Sequence, residues 1–569
     1  MLVYLNLGIL MFFMSIFFMI MLMKFLLLKL KLFIEFELMK IMGLNFSVMI
    51  YFDYKSFMFM MIVLMISSMI IFYSIEYMYN DFYSIRFIYI LVLFVISMLM
   101  MIIGQNLLMI LLGWDGLGLI SYCLVIYYNS WSSYFSGMLT ILTNRLGDIG
   151  LLLSISMMSM YGDWSYLLMN FNYINKFMIM FLCLAAFTKS AQVPFSSWLP
   201  LAMAAPTPIS SLVHSSTLVT AGIYLMIRMK MLIFMNENFK LIMLFLGLMT
   251  MFFSGMVASF ENDFKKVIAL STLSQLGIMM FTLMLGYSML SFFHLIIHAM
   301  FKSLLFMCAG LILHSMNNNQ DVRYLGGLSK MLLLTMIFFH CSNLALCGFP
   351  FLSGFYSKDM ILEFSIFNNL NLLLMFMFYI SISFTVIYTF RMIYYSIFNL
   401  MYFNSCWFIY DSKIMNFSMV MMFLYSVFGG VLFSWMVFDS MMLIILSNSL
   451  KWGLNFLILL SMFIGLYLFL MSKFNLYKVI VSFYFMSSMW FMNMFSSLMS
   501  KNFLPLGEMM FMILDKGWFE KSVKDMMFMI YINFMKMENF IFMLIINIFF
   551  FFFYNYYFMN LKKFMNDYI

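Results

Sequence analysis

Charge is scarce in this chain. Of its 569 residues only 9% are Asp, Glu, Lys or Arg, while 66% are apolar. Soluble domains carry about 25% charged and roughly 45–50% apolar residues, so that class is excluded. Cysteine is rare, and Cys123, Cys183, Cys308, Cys341, Cys347 and Cys406 are scattered without a C-x-x-C pair. Their spacing supports neither a zinc nor an iron–sulfur site. No basic block exists either: the net charge of +8 comes from 30 basic and 22 acidic residues spread thinly, which leaves no nucleic-acid footprint. A G-x-G-x-x-G fingerprint and a Walker A motif are both missing, so the chain is expected neither to bind a dinucleotide nor to hydrolyse ATP.

What is present is a series of continuous apolar runs. At about 20 residues per span plus short links, the length accommodates about 14–16 spans of an all-α polytopic membrane bundle. Continuous rather than alternating runs exclude a β-barrel. The apolar N-terminus has no basic n-region and no cleavage motif, and reads as a retained span rather than a signal or transit peptide. The 74 Met and 74 Phe point to an A+T-rich genome acting on lipid-facing positions, with a mitochondrial genome the natural hypothesis.

The polar residues divide the chain into four parts. Residues 1–90 are plain spans with charges in the links. Over 91–391, charged and His residues enter the spans repeatedly. Residues 392–513 are plain again. In 514–569, the stretch 514–539 mixes Asp515, Lys516, Glu520, Lys521, Lys524 and Asp525 with Trp518 and Phe519. It is too polar to span and too apolar for a loop, which predicts a helix lying in the interface plane, followed by an anchoring span over 540–558.

Prolines sharpen the middle region. Pro194, Pro200, Pro206 and Pro208 cluster after Lys189, and Pro350 lies shortly before Lys358. Proline breaks the helical ladder, and at membrane depth such breaks survive only against protein or a watery cavity. Two interrupted helices, each with a nearby lysine, have the pattern of a midplane ion site in two internal repeats.

Ionisable residues inside spans cost at least about 2.5–3.5 kcal/mol each and usually mark ion pathways. Asp115 lies in L-L-G-W-D-G-L-G-L, with a span end as its bland alternative. Arg145 and Asp148 stand i,i+3 and can pair on one helix face, structurally or for conduction. Lys189 reads as a proton carrier or as a lysine snorkelling to the interface. His214, among hydroxyls in S-S-L-V-H-S-S-T, is a relay or a satisfied core histidine. His294, His298 and Lys302 fall at i, i+4 and i+8 and share one helical face. Without an H-E-x-x-H motif, that basic row suits a proton relay better than a metal. Lys358 and Asp359 follow the second break, as a relay site or as a solvated loop pair; Glu363 is a further candidate.

Several strings carry a resemblance. L-L-G-W-D-G-L-G-L-I-S-Y, N-R-L-G-D-I-G, F-T-K-S-A-Q-V-P-F-S-S-W-L-P, N-D-F-K-K-V-I-A-L-S-T-L-S-Q-L-G, H-A-M-F-K-S-L-L-F and G-F-P-F-L-S-G-F-Y-S-K-D occur in order. Together they closely resemble the chain 5 family of NADH–ubiquinone oxidoreductase, antiporter-like membrane subunits of respiratory complex I, strongly over about 40–395. The resemblance implies two inverted five-helix repeats, each with one broken helix. It also implies proton translocation across the mitochondrial inner membrane, driven by electron transfer from NADH to ubiquinone elsewhere. FMN, iron–sulfur clusters and ubiquinone are then expected in other subunits, with no cofactor or metal in this chain. The implied partners are neighbouring antiporter-like and accessory subunits, and lipids such as cardiolipin.

By matching motif, Lys189 corresponds to the broken-helix lysine holding the central proton, and Asp115 stands where the family usually has Glu as its partner. Asp148, beside Arg145, switches between partners. His214, His294, His298 and Lys302 form the relay, and Lys358 lies near the exit. Other readings are a subunit of a multisubunit cation/proton antiporter, which shares the core motifs, and a non-conducting brace. The intramembrane charges argue against the brace.

Overall fold

The computed structural model describes residues 2–41, 44–162, 164–165, 176–234, 237–368, 371–398, 412–438, 446–471, 486–487 and 489–566. Thirteen of its helices are long and apolar enough to cross a membrane. That count is of the described residues, and it leaves out the shorter half-helices Lys176–Lys189, Leu333–Cys347 and Ser353–Phe367 beside the two interruptions.

The chain begins with α1 (Leu2–Leu28), an antiparallel hairpin of β1 (Leu32–Ile41) and β2 (Leu44–Phe52), and α2 (Tyr54–Tyr77). The hairpin was not anticipated. Its Ile34-Glu35-Phe36-Glu37-Leu38 stretch alternates with the strand period of two, a signal hidden inside a chain of helix-length apolar runs. It is tied to the start of α4 (Leu107–Val125), where the Gln105 N–H donates to the Met49 carbonyl at 3.2 Å and Asn106 Nδ2 donates to the Ser47 carbonyl at 2.6 Å. Between them α3 (Ser84–Ile103) packs against α4.

Next come α5 (Trp131–Ser159), the half-helix α6 (Lys176–Lys189) and, after a non-helical segment 190–197, α7 (Thr207–Arg228). Helices α8 (Glu237–Phe260), α9 (Phe264–Met284) and α10 (Ser288–Ser315) follow; the last two are buried throughout their spanning windows. A second interruption separates α11 (Leu333–Cys347) from α12 (Ser353–Phe367). Gly348 ends α11 at φ 87°, a left-handed C-terminal cap that glycine adopts without steric cost. Both breaks expected from the prolines are therefore present.

The remaining helices of this unit are α13 (Leu372–Phe398), α14 (Lys413–Val437) and α15 (Asn448–Met471). A compact unit ends at Met492, and Asn493–Ile569 forms a second unit. In the latter, α16 (Met492–Ile513) leads through a π-helical turn, Leu514–Phe519, into α17 (Glu520–Asn566). The expected lateral helix and final span are thus one uninterrupted helix of 47 residues. At 1.5 Å per residue it is about 70 Å long, more than twice a bilayer core of about 30 Å, so a straight crossing would hold less than half of it in the core.

Candidate functional site

Lys189 closes α6, immediately before the first break, and is fully buried. Its Nζ donates to the Trp114 carbonyl at 3.0 Å and lies 5.0 Å from the Trp114 ring centroid, within cation–π range. A lysine so enclosed is not snorkelling. Asp115 sits mid-helix in α4 rather than at a span end, partly buried, with Oδ1 lacking a protein partner. Gly118, one turn along α4, faces the ammonium: a Cβ there would meet Lys189 Nζ at 3.4 Å.

Asp148 is buried on α5 and pairs with Arg145 at 3.6 Å through one oxygen, as the i,i+3 spacing predicts. Its other oxygen has no partner. The carboxylates whose charges act on Lys189 are Asp148 and Asp115. Neither forms an ion pair with it within 4.0 Å. The amide of Asn144, on the same helix, is also buried and unpartnered. Two carboxylates thus act on Lys189 without forming an ion pair with it.

His214 lies in α7, in a π-helical stretch over Ser210–Thr217. Such turns displace one residue from the regular ladder and often occur at functional positions. Its ring meets Trp198 edge-on at 6.3 Å, and Trp198 Nε1 donates to the Thr188 carbonyl at 3.0 Å, next to Lys189. Both His214 ring nitrogens are buried without a partner. The π-helical stretch packs against α10, which carries the basic row.

On α10, His294, His298 and Lys302 are all fully buried. The His294 and His298 rings lie 6.4 Å apart. His294 Nδ1 is 2.8 Å from Ser357 Oγ, and Nε2 is 3.3 Å from Gln275 Oε1. Lys302 donates to Ser271 Oγ, one turn before Gln275 on α9. Lys358 follows Ser357 on α12, is buried, and donates to the Leu346 carbonyl near the end of α11. That carbonyl belongs to the last turn of a broken helix, where acceptors have no intrahelical donor and the dipole favours a cation. The solvated-loop alternative for Lys358 therefore fails. Asp359 lines an adjoining cavity of about 200 Å³ at the second break. Glu363 pairs with Lys451 at 3.4 Å.

The expected residues therefore gather in two clusters, Lys189 with Asp115, Arg145 and Asp148, and His294, His298, Lys302 and Lys358, with His214 between them. Residue-by-residue reading missed Trp114, Ser271, Gln275 and Ser357. Ser271 and Gln275 stand i,i+4 on a helix whose other polar residues are Lys265, Lys266, Thr272, Ser274 and Thr282, and that spacing was the available signal. It also missed Asp53 and Arg228. Arg228 donates to both Asp53 oxygens, at 2.7 and 2.9 Å, and to Tyr224 Oη at 2.7 Å. Asp53 caps α2 by accepting from the Ser56 N–H at 2.8 Å. Burial alone would raise its pKa, but the Arg228 guanidinium and the Ser56 N–H outweigh it and hold the carboxyl below its ordinary value.

Comparison with known proteins gives a consistent picture. Residues 104–385 match the profile described as NADH:quinone oxidoreductase/Mrp antiporter, TM. Residues 38–88 match complex I chain 5 N-terminus, and 388–561 match NADH dehydrogenase subunit 5 C-terminus. NADH-ubiquinone oxidoreductase chain 5 of Aedes aegypti is 46% identical over 510 residues, covering 87% of each chain. That of Anopheles gambiae is 47% identical over 509 residues, again covering 87% of each. Among solved structures, a chain of the Mrp complex from Dietzia sp. superposes with a TM-score of 0.69 at 22% identity, over 81% of this chain and 52% of that one. At that identity the likeness speaks for the fold.

Proposed function

The chain belongs to the NADH–ubiquinone oxidoreductase chain 5 family, and from that premise we propose how its buried groups move protons. It is a proton-translocating membrane subunit of complex I, working with other membrane-arm subunits. The observation that carries the path is the fully buried Lys189, flanked by two carboxylates that do not lock onto it.

In the proposed path Lys189 holds the transferable proton. Its ammonium is stabilised by the Trp114 carbonyl and ring and by the fields of Asp148 and Asp115. Asp148 can swing between Arg145 and Lys189, and the swing toward Arg145 weakens the hold on the proton. His214, reached past Trp198, accepts next. From there the proton passes through His298 and His294, with Lys302 and Lys358 at either side of the row. Ser357 and Gln275 fix the His294 ring so that one nitrogen accepts while the other donates. Buried polar groups left without protein partners, such as both nitrogens of His214 and His298, cost about 1–3 kcal/mol each unless water reaches them. Bridging water would both offset that cost and conduct protons.

We further propose that the chain carries no redox centre, that FMN, iron–sulfur clusters and ubiquinone reside in other subunits, and that it lies in the mitochondrial inner membrane. Its neighbours would be antiporter-like and accessory subunits and lipids of the cardiolipin type. A cation/proton antiporter subunit is the second reading, favoured by the Mrp-like fold. Native electrophoresis of mildly solubilised membranes, with an in-gel NADH-oxidation stain and peptide identification, separates the two. A very large NADH-active band containing this chain supports complex I, and a small NADH-inactive assembly supports the antiporter.

A further inference from the structure

One histidine takes no part in the path above. His340 lies midway along α11, and both of its ring nitrogens are buried without a partner among the described residues. Three positions on, Asn343 is 5% exposed, and its Nδ2 is buried and equally unpartnered. The neighbouring rings fix which side of α11 these residues occupy. Phe338 packs on Phe423 of α14 with ring centroids 4.8 Å apart, and Phe339 on Phe264 of α9 at 5.6 Å. His340, Asn343 and Cys347 stand at i, i+3 and i+7 and so share the remaining side. There Cys347 Sγ lies 2.7 Å from Thr389 Oγ1 of α13.

That side leads to the second lysine. Cys347 and Lys358 both line the cavity of about 200 Å³ at the break, and the carbonyl of Leu346, one residue earlier, accepts from Lys358 Nζ. At 1.5 Å of rise per residue, His340 stands about 10 Å from Cys347 and about 10 Å from the start of α11 at Leu333. The link before α11 carries Asp321, Arg323 and Lys330, with Asp321 and Arg323 paired at 3.5 Å and partly exposed, so α11 starts at a bilayer surface. His340 is therefore halfway between that surface and the break. Three buried nitrogens without partners are costly to hold at membrane depth. Water that satisfied them would form a file leading to the break.

We propose that His340 and Asn343 form a separate proton inlet to Lys358, running along α11 from the surface where that helix begins and bypassing Lys189. One ring nitrogen of His340 takes a proton from water on the surface side. The proton on the other nitrogen leaves to water held by the Asn343 amide, and the neutral Lys358 amine accepts it. A tautomer exchange returns the imidazole to its starting state, and no bond other than those to the moving protons changes. Lys358 is then loaded from two directions, along the basic row of α10 and along α11. This inlet presupposes the reading of Lys358 as a proton carrier.

The test uses the assembled complex in liposomes, with acidification measured per NADH oxidised. Losing a positioned acid–base group slows a proton transfer by about 10²-fold or more, so His340→Leu should close the inlet and lower that ratio. His340→Gln keeps hydrogen-bonding capacity but cannot relay a proton, and should lower the ratio as far; a histidine needed only for packing would be rescued by it. Asn343→Leu should lower the ratio, and Asn343→Ser, still able to hold water, should retain it. The Gln variant decides the matter where a Leu variant does not assemble. Separately, His340→Cys and Asn343→Cys are treated with a charged methanethiosulfonate reagent, and modification is resolved from the native Cys341 and Cys347 by mass spectrometry. Both should react faster than Phe339→Cys, a position turned to Phe264. A parent-level ratio in His340→Gln, or modification no faster than at Phe339→Cys, overturns the inlet. A parent-level ratio in Lys358→Ala, with both cysteines modified, would instead overturn the reading of Lys358 as the acceptor.

Discussion

Replacing Asp148 and Asp115 separately by asparagine distinguishes which carboxylate governs Lys189. Each change removes a charge at nearly constant volume. Two unit charges at an effective dielectric of 20 interact by about 4 kcal/mol at 4 Å and roughly 2 kcal/mol at 8 Å. Neither Asp148 nor Asp115 forms an ion pair with Lys189 within 4.0 Å, so about 4 kcal/mol is a ceiling for either. Asp148 is buried whereas Asp115 is only partly so, which leaves the Asp148 charge the less screened by solvent, and D148N should therefore be the more damaging. If the charged lysine is an obligatory state of transport, losing about 2 kcal/mol slows transport roughly thirtyfold. The assay is NADH-driven acidification of liposomes holding the reconstituted complex, followed by dye quenching, with assembly checked on a native gel. D148N should nearly abolish the contribution of this subunit, and D115N should leave a measurable part. The reasoning fails if D115N is the more severe, or if D148N acidifies at the parent rate.

Other consequences follow from the same geometry. Ser357→Ala and Gln275→Leu each remove one partner of His294, at about 1 kcal/mol per hydrogen bond. Each should slow NADH-driven proton transfer roughly fivefold without altering assembly. Asp53→Asn breaks a buried pair and should destabilise the helical unit by about 3–5 kcal/mol, read as a lower midpoint in thermal unfolding in detergent. Because the folded pKa of Asp53 lies below its ordinary 3.8, the stability it contributes is fully present above about pH 4. It is lost as the pH falls toward the folded value, and in D53N that acid dependence should shrink. Deletion of 514–569 should impair assembly or stability of the complex on native gels; an intact deletion complex would argue against a bracing role for α17.

Much of the architecture was legible because lipid imposes simple rules. Spans announce themselves by length, and prolines at membrane depth announce a break, as at Pro194 and Pro350. The i, i+4, i+8 spacing placed His294, His298 and Lys302 on one face of α10, and all three are buried. What stayed hidden depends on packing between distant segments. Nothing in the local sequence says that Trp114, beside Asp115, turns its carbonyl and ring to Lys189. Nor does it say that Ser357 reaches His294 across 63 positions. The hairpin 32–52 was masked because a two-residue alternation is a weak signal among continuous apolar runs. Asp53 and Arg228 sit in links and at span ends, where charges are ordinary, and only the fold shows that they meet. The join between lateral segment and last span at 539–540 carries no break in structure, although the composition changes there.

The central claim is that Lys189 carries the proton through this chain, and Lys189→Ala in the assembled, reconstituted complex tests it most directly. The account predicts that the variant assembles into the NADH-active complex but loses pumping-linked turnover, with acidification reduced far more than assembly. Parent-level acidification by an assembled Lys189→Ala complex would contradict it.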